Sequence, residues 1–276
     1  MPFWQSLVPA ILQEMSDERV ELGHAIFSLM QPHAGHELAW NRWYERDHLI
    51  AAGSLAPYTM ATQRWLATAP HKAIREPRQN PIANPSESGT FLATMWIQKN
   101  HLADQQAWVA EQMKRLAEQD RTYEERDVLF AGTWDYLGGA LRDPDGVPPE
   151  LVLDHRYSGL VLTWLECSPG QSLEELRDAL LHDALPDRLE NSAVAQALCF
   201  TPLPKSDWWP KAAPEVPGVG VRILVACFVE SDPLDIWQTD FADLGKALED
   251  RTRGRSLLIA PFVPVVPGVD PDIAQL

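Results

Sequence analysis

Apolar residues cluster in eight short stretches of the chain and recur at three- and four-residue steps in four longer ones. The short stretches fall at 24–30, 58–68, 89–98, 127–137, 157–166, 193–203, 220–230 and 256–266. They are rich in β-branched and aromatic residues, which predicts strands. Helical spacing over 36–52, 102–120, 172–190 and 233–251 predicts one helix between the members of each strand pair. Two of these helices carry start signals. Ser172 with Glu175 three residues on is a capping box, and Asp232 precedes Pro233 at the first helical position. The last strand contains Pro261 and Pro264, which cannot donate to a ladder, so it is expected at an edge or bulged.

The chain therefore reads strand–helix–strand four times over. Two such units make a ferredoxin-like split βαβ sandwich. The expected fold is α+β, with two tandem ferredoxin-like (βαβ-βαβ) units at 22–143 and 157–267. Residues 1–21 would form an N-terminal helix, 144–156 a linker and 268–276 a C-terminal tail. Helices cover one face of each sheet, and the other face must be buried too. The economical solution packs the two open faces together and closes an eight-stranded barrel within one chain. The joins inside the units, 69–88 and 204–219, are long and proline-rich, a length typical of lids and functional segments.

Composition narrows the partners. A formal net charge of −16 repels phosphate backbones and anionic lipid, so neither nucleic acid nor a membrane is expected. No apolar run is long enough to span a bilayer. The first 21 residues lack a basic region and a cleavage site, so they read as a helix of a cytoplasmic protein, not a signal peptide. Cys167, Cys199 and Cys227 show no CxxC spacing and read as reduced core thiols. Eleven tryptophans either fill a core or line a pocket for a flat apolar ligand. Phosphate-binding glycine loops, GxSxG and HExxH are absent.

The densest candidate chemistry is "NRWYERDHLIAAG", 41–53. On an α-helix Trp40, Tyr44 and His48 share a stripe facing the sheet, with Asp47 at its edge. A histidine's ordinary pKa near ~6.5 suits proton transfer, tyrosine can donate to a substrate oxygen, and aspartate can fix the imidazole tautomer. The alternative is structural: His48 in the last helical turn, with Gly53 as the residue after the cap. Arg64 is expected in the barrel interior, opposite Trp65, where it needs a carboxylate or an anionic ligand. Trp65, Trp96, Trp134 and Trp164 are expected between sheet and helices. Lys72, Arg75 and Arg78 either clamp a substrate anion or form a solvated loop. Trp208 and Trp209 either roof a pocket or pack in the core. His33, His36 and Glu37 resemble a metal fragment, but nothing in the sequence completes three or four ligands, so no metal is expected. "ERD" at 125–127 reads as a helix end without a role.

These residues resemble a known group. The arrangement looks like the dimeric α+β barrel superfamily, and "NRWYERDHL" is similar to the WYDEHH-type signature of EthD-like proteins. Trp43, Tyr44, Asp47 and His48 stand at the matching positions; Ile50 replaces the usual proline. The third helix keeps a proline, Pro186, but has Ala184 in place of the histidine, so a site of this kind is expected in the first half alone. The superfamily includes cofactor-free monooxygenases, muconolactone-type isomerases, cyclases, dehydratases and haem enzymes, and one fold hosts them all. The resemblance implies a cofactor-independent enzyme, monomer or homodimer, using acid–base chemistry of isomerase, cyclase or lyase type on a small hydrophobic, aromatic or oxygenated compound. The competing expectations are a carrier or sensor of such a ligand, and an oxygenase, haem-dependent or cofactor-free, on the same fold. Expected catalytic residues are His48, Tyr44 and Asp47. Expected substrate contacts are Trp40, Trp43, Arg64, Trp65, Arg75 and Trp96.

Overall fold

A computed structural model describes residues 19–276 except 208 and 210–213. Most of the predicted N-terminal helix lies outside the described residues. The eight strands are β1 (Leu22–Pro32), β2 (Thr59–Leu66), β3 (Phe91–Gln98), β4 (Arg126–Leu141), β5 (Gly159–Glu166), β6 (Val194–Pro202), β7 (Arg222–Val229) and β8 (Arg255–Pro264). They close into one barrel in the order β1-β3-β2-β8-β5-β7-β6-β4. Each half keeps the ferredoxin-like order, and every neighbouring pair is antiparallel.

The helices are α1 (Glu37–Trp43, continued by π-helical turns Tyr44–His48 and Ile50–Ser54), α2 (Ala69–Ala73) and α3 (Leu102–Glu118). In the second half they are α4 (Leu173–Ala179, then π-helical Leu180–Ala184, then Leu185–Leu189) and α5 (Pro233–Ile236, π-helical Trp237–Phe241, then Leu244–Thr252). The Ser172–Glu175 capping box forms, and the Asp232 side chain accepts from the Leu234 amide.

The two seams between the halves differ. β4 is long because it pairs twice, its first part with β1 and its last with β6. The other seam is thin: β2 meets β8 only through Trp65↔Pro264 and Leu66↔Val263. The prolines of β8 therefore do not exile it to an edge but leave little ladder on that side, and the bulge the strand does carry lies at Leu257, away from them. Glu76, from the loop after α2, fills part of the gap by pairing with Ile259.

Strand alternation puts Arg64 and Trp65 on opposite faces, but the faces are the reverse of those expected. Trp65, Trp96, Trp134 and Trp164 point into the barrel, where they pack with Phe27, Phe200, Phe228 and Phe262. Phe27 meets Trp96, Trp134 and Phe200 edge-on at 5.2–5.8 Å between ring centres. Large aromatics fill a wide interior with few side chains and little entropy to lose, so the tryptophans belong inside. Arg64 lies on the outer face beneath α1.

Candidate active site

The site grows out of the π-helical part of α1. A π turn bonds residue i to i+5, and the Leu49 amide accordingly donates to the Tyr44 carbonyl. That widening brings residues five apart onto one face. Trp43 stacks on His48 with ring centres 4.8 Å apart, Tyr44 lies 5.0 Å from His48, and the Trp43 and Tyr44 rings are 5.9 Å apart, so the three form a compact triangle. The helix does not end at Gly53, as the structural reading of His48 required, but runs to Ser54. Gly53 serves close approach instead: a Cβ there would sit 2.9 Å from the Met95 methyl. His48 is thus inside the helix, not at its terminal carbonyls.

His48, Trp43, Tyr44 and Ala52 of α1 form one wall of a cavity of about 160 Å³. The outer face of the sheet forms the floor through Ile26, Ser28, Met30 and Met95, and Val109 and Met113 of α3 close the far side. Arg126 and Val128 at the start of β4 line the mouth, and Trp209 roofs it from the proline-rich loop of the second half. Ser206 ties that loop to the first half by donating to Gln106, which in turn donates to Thr133.

The polar groups of the cavity are few. Burial and the Arg126 guanidinium push the His48 imidazole down to about 4, with Asp47 opposing. The ring is therefore neutral across the physiological range. Burial raises the Tyr44 hydroxyl above its ordinary value, so it stays protonated and able to donate. Arg126 lies with its guanidinium 5.6 Å from the Trp43 ring centre, and among the described residues no carboxylate forms an ion pair with it. The Glu124 carboxylate opposes part of its charge from beyond contact distance, which leaves the guanidinium's N–H groups free of an ion-pair partner and able to take an anionic oxygen.

Several expected contacts lie elsewhere. Asp47 points to the surface and pairs with Arg121, so it does not fix the imidazole tautomer. Trp40 is fully buried behind Tyr44, packed on Phe91, and does not line the cavity. Arg64 donates to the Asn41 side chain at 2.7 Å, lies 3.9 Å from Glu45, and sits against the Trp40, Tyr44 and Phe91 rings. It supports Tyr44 from behind and finds its partners within the protein. Trp65 and Trp96 are in the barrel, donating to Thr94 and to the Pro149 carbonyl. Arg75 is fully buried and donates to the carbonyls of Ser86, Ser88 and Gly89, so it shapes the first proline-rich loop. Lys72 is likewise buried and donates to Thr90 and the Leu276 carbonyl, while Arg78 pairs with Glu87. His33 sits between Glu125 and Asp127, and His36 meets the Tyr123 hydroxyl.

Sequence reasoning missed Arg126, Met95 and Met113. The "ERD" at 125–127 opens β4 and does not end a helix. The available signal was the alternation starting at Asp127, which already required the preceding arginine to lie at a strand end.

No family model matches the chain, and no curated relative does. Among solved structures, the chain is similar to an anthrone oxidase-like protein at TM-score 0.53 and 12% identity, covering 92% of this chain and 97% of that one. It is also similar to the encapsulated DyP-type peroxidase from Mycobacterium smegmatis at TM-score 0.47 and 9% identity, covering 90% and 94%. At such an identity the first likeness shows the fold alone: a closed eight-stranded antiparallel α+β barrel within one chain.

Proposed function

We propose that the chain is an enzyme that moves a proton on a small, single-ring hydrophobic compound carrying an acidic oxygen. His48 is the base, Tyr44 a donor to the substrate, and Arg126 the receiver of negative charge. The EthD-like signature around Trp43, Tyr44 and His48 supports this reading, and three free cysteines suit a reducing, cytoplasmic setting. The observation that carries it is the pairing, in one apolar cavity, of a neutral imidazole with a guanidinium that has no contact ion pair among the described residues.

Arg126 lowers the proton affinity of His48 while the cavity holds no anion. An oxygen that becomes negative as it gives up its proton cancels that repulsion. The base therefore strengthens at the moment of transfer, which is the differential stabilisation catalysis needs. A cavity of about 160 Å³ is the size that accepts one benzene-like ring. Met30, Met95 and Met113 offer polarisable sulfur to an aromatic edge.

The same deprotonated ring, electron-rich and shielded from water, is what a cofactor-free oxygenase presents to dioxygen. Oxygen consumption separates the two readings. His48→Gln should keep saturable binding of a monocyclic phenol and lose turnover in either. Unchanged turnover removes His48 from the chemistry. Binding with no product from any phenol or enol tried identifies a carrier.

A further inference from the structure

The floor of the His48 cavity carries a hydroxyl that the chemistry assigned above does not use. Ser28 sits on the outer face of β1, between Ile26 and Met30, and lines the cavity. Among the described residues its side chain has no hydrogen-bond partner, yet its oxygen is not sealed off, so what it meets is the cavity. Strand register explains the room above it. Ser28 pairs with Ala93 on β3 and with Ala131 on β4, which puts a small side chain on either side of the hydroxyl.

The second half shows the same position closed. β5 opens that half as β1 opens the first, and Thr163 lies beneath the helices there, between Val225 on β7 and Ile259 on β8. Three branched side chains crowd the row, the remaining space is about 10 Å³, and the Thr163 hydroxyl is buried out of reach. Each floor thus carries a hydroxyl, and of the two it is Ser28's that a ligand can touch. Few polar groups in an apolar cavity fix a ligand's orientation, and each is best met by a matching oxygen. Arg126 stands in register with Pro32, four residues along β1 from Ser28, or about 13 Å at the usual strand rise. That separation suits two oxygens on opposite sides of a ring, not on neighbouring carbons.

We propose that Ser28 is a specificity-determining residue. Its hydroxyl donates to a second substrate oxygen, an ether or carbonyl placed across the ring from the acidic oxygen that Arg126 receives. The proposal rests on the reading of this cavity as the place where a monocyclic phenol or enol binds.

The test is calorimetric titration of the full chain with 4-methoxyphenol, 4-ethylphenol and 2-methoxyphenol. The ethyl compound has the shape of the first but lacks its second oxygen, and the last has its two oxygens side by side. In Ser28→Ala the affinity for 4-methoxyphenol relative to 4-ethylphenol should fall by about 3–10-fold, the worth of one hydrogen bond. Binding of 2-methoxyphenol should follow that of 4-ethylphenol. Ala131→Val crowds the hydroxyl and should lower the same ratio, which keeps a second route should Ser28→Ala fail to fold. An unchanged ratio, or equal losses for the two methoxyphenols, overturns the role of Ser28 and leaves the cavity reading in place. Absence of binding by all three phenols to the parent chain overturns the cavity reading, and this proposal with it.

Discussion

The two halves share strand order, helix placement and even the π turn, yet among the described residues the first opens a far larger space between helix and sheet than the second. Tyr44–His48 and Leu180–Ala184 are matching π segments, and the last residue of each is His48 and Ala184 respectively. In the first half the space under the helix holds a cavity of about 160 Å³. In the second the corresponding region shrinks to about 10 Å³. Leu176, Leu180, Leu185, Leu189, Trp237 and Phe241 pack there and leave almost no space. A π turn is therefore not by itself the mark of a site. It sets which residues share a face, and side-chain volume decides whether that face is a core or a chamber.

That contrast can be attacked at several points. The largest effect is expected at His48: replacement by Gln should lower kcat by about 10²–10⁴ with ligand affinity within a few-fold, the usual worth of a positioned acid–base group. Comparable turnover in both proteins would make the halves chemically equal. Next comes packing. Leu180→Ala should cost about 2–5 kcal/mol in denaturant unfolding, because it empties a filled core. Met113→Ala, at the rim of an existing cavity, should cost about 1 kcal/mol or less. Equal costs would mean the first-half cavity closes up in solution.

Arg126→Gln should weaken binding of a monocyclic phenolate by about 10-fold, the worth of one charge-assisted hydrogen bond. It should also let the His48 pKa climb from about 4, followed by NMR of the ring protons. An unmoved His48 would show that burial alone holds it down. The pH dependence follows from the same value. kcat/KM should fall on an acid limb near 4, not near the ordinary histidine value. Stability should also change with pH. The unfolded chain protonates His48 near ~6.5, whereas the folded chain does so only near 4. Acidification between those values therefore favours unfolding, by on the order of 2 kcal/mol after allowance for partial solvent access. His24 acts in the same direction, so the difference between the parent and His48→Phe isolates the one ring. The smallest effect is expected at Asp47→Asn. The exposed Asp47–Arg121 pair is worth about 0–1 kcal/mol, and kcat should stay within about twofold. A large loss of kcat there would restore Asp47 to the chemistry.

Much of the architecture was legible because periodicity is local. Eight alternating or continuous apolar stretches and four helical ones locate the elements to within a few residues, apart from β4, which continues to Leu141, and the short helix α2, which lies where a proline-rich loop was expected. Strand–helix–strand repetition, with one bare face per sheet, leaves few ways to bury what remains. The motif around Trp43, Tyr44 and His48 could also be read, since all three lie in one helical turn. What could not be read is anything that depends on which face meets which neighbour. Alternation puts Arg64 opposite Trp65 but is silent on which points inward, and the barrel's need for bulky rings decided that. Arg126 reaches the cavity across 78 residues from His48, and Trp209 across 161, through strand pairing and a loop crossing between halves. Asp47 was drawn to Arg121 from a separate helix end. The sequence by itself determined the elements, their order and the imidazole's helix, because hydrophobic period and residue type act over neighbours. Only the tertiary structure decided the π-turn stacking, the cation at the mouth and the emptiness of one half, because these depend on volumes and charges brought together from far apart in the chain.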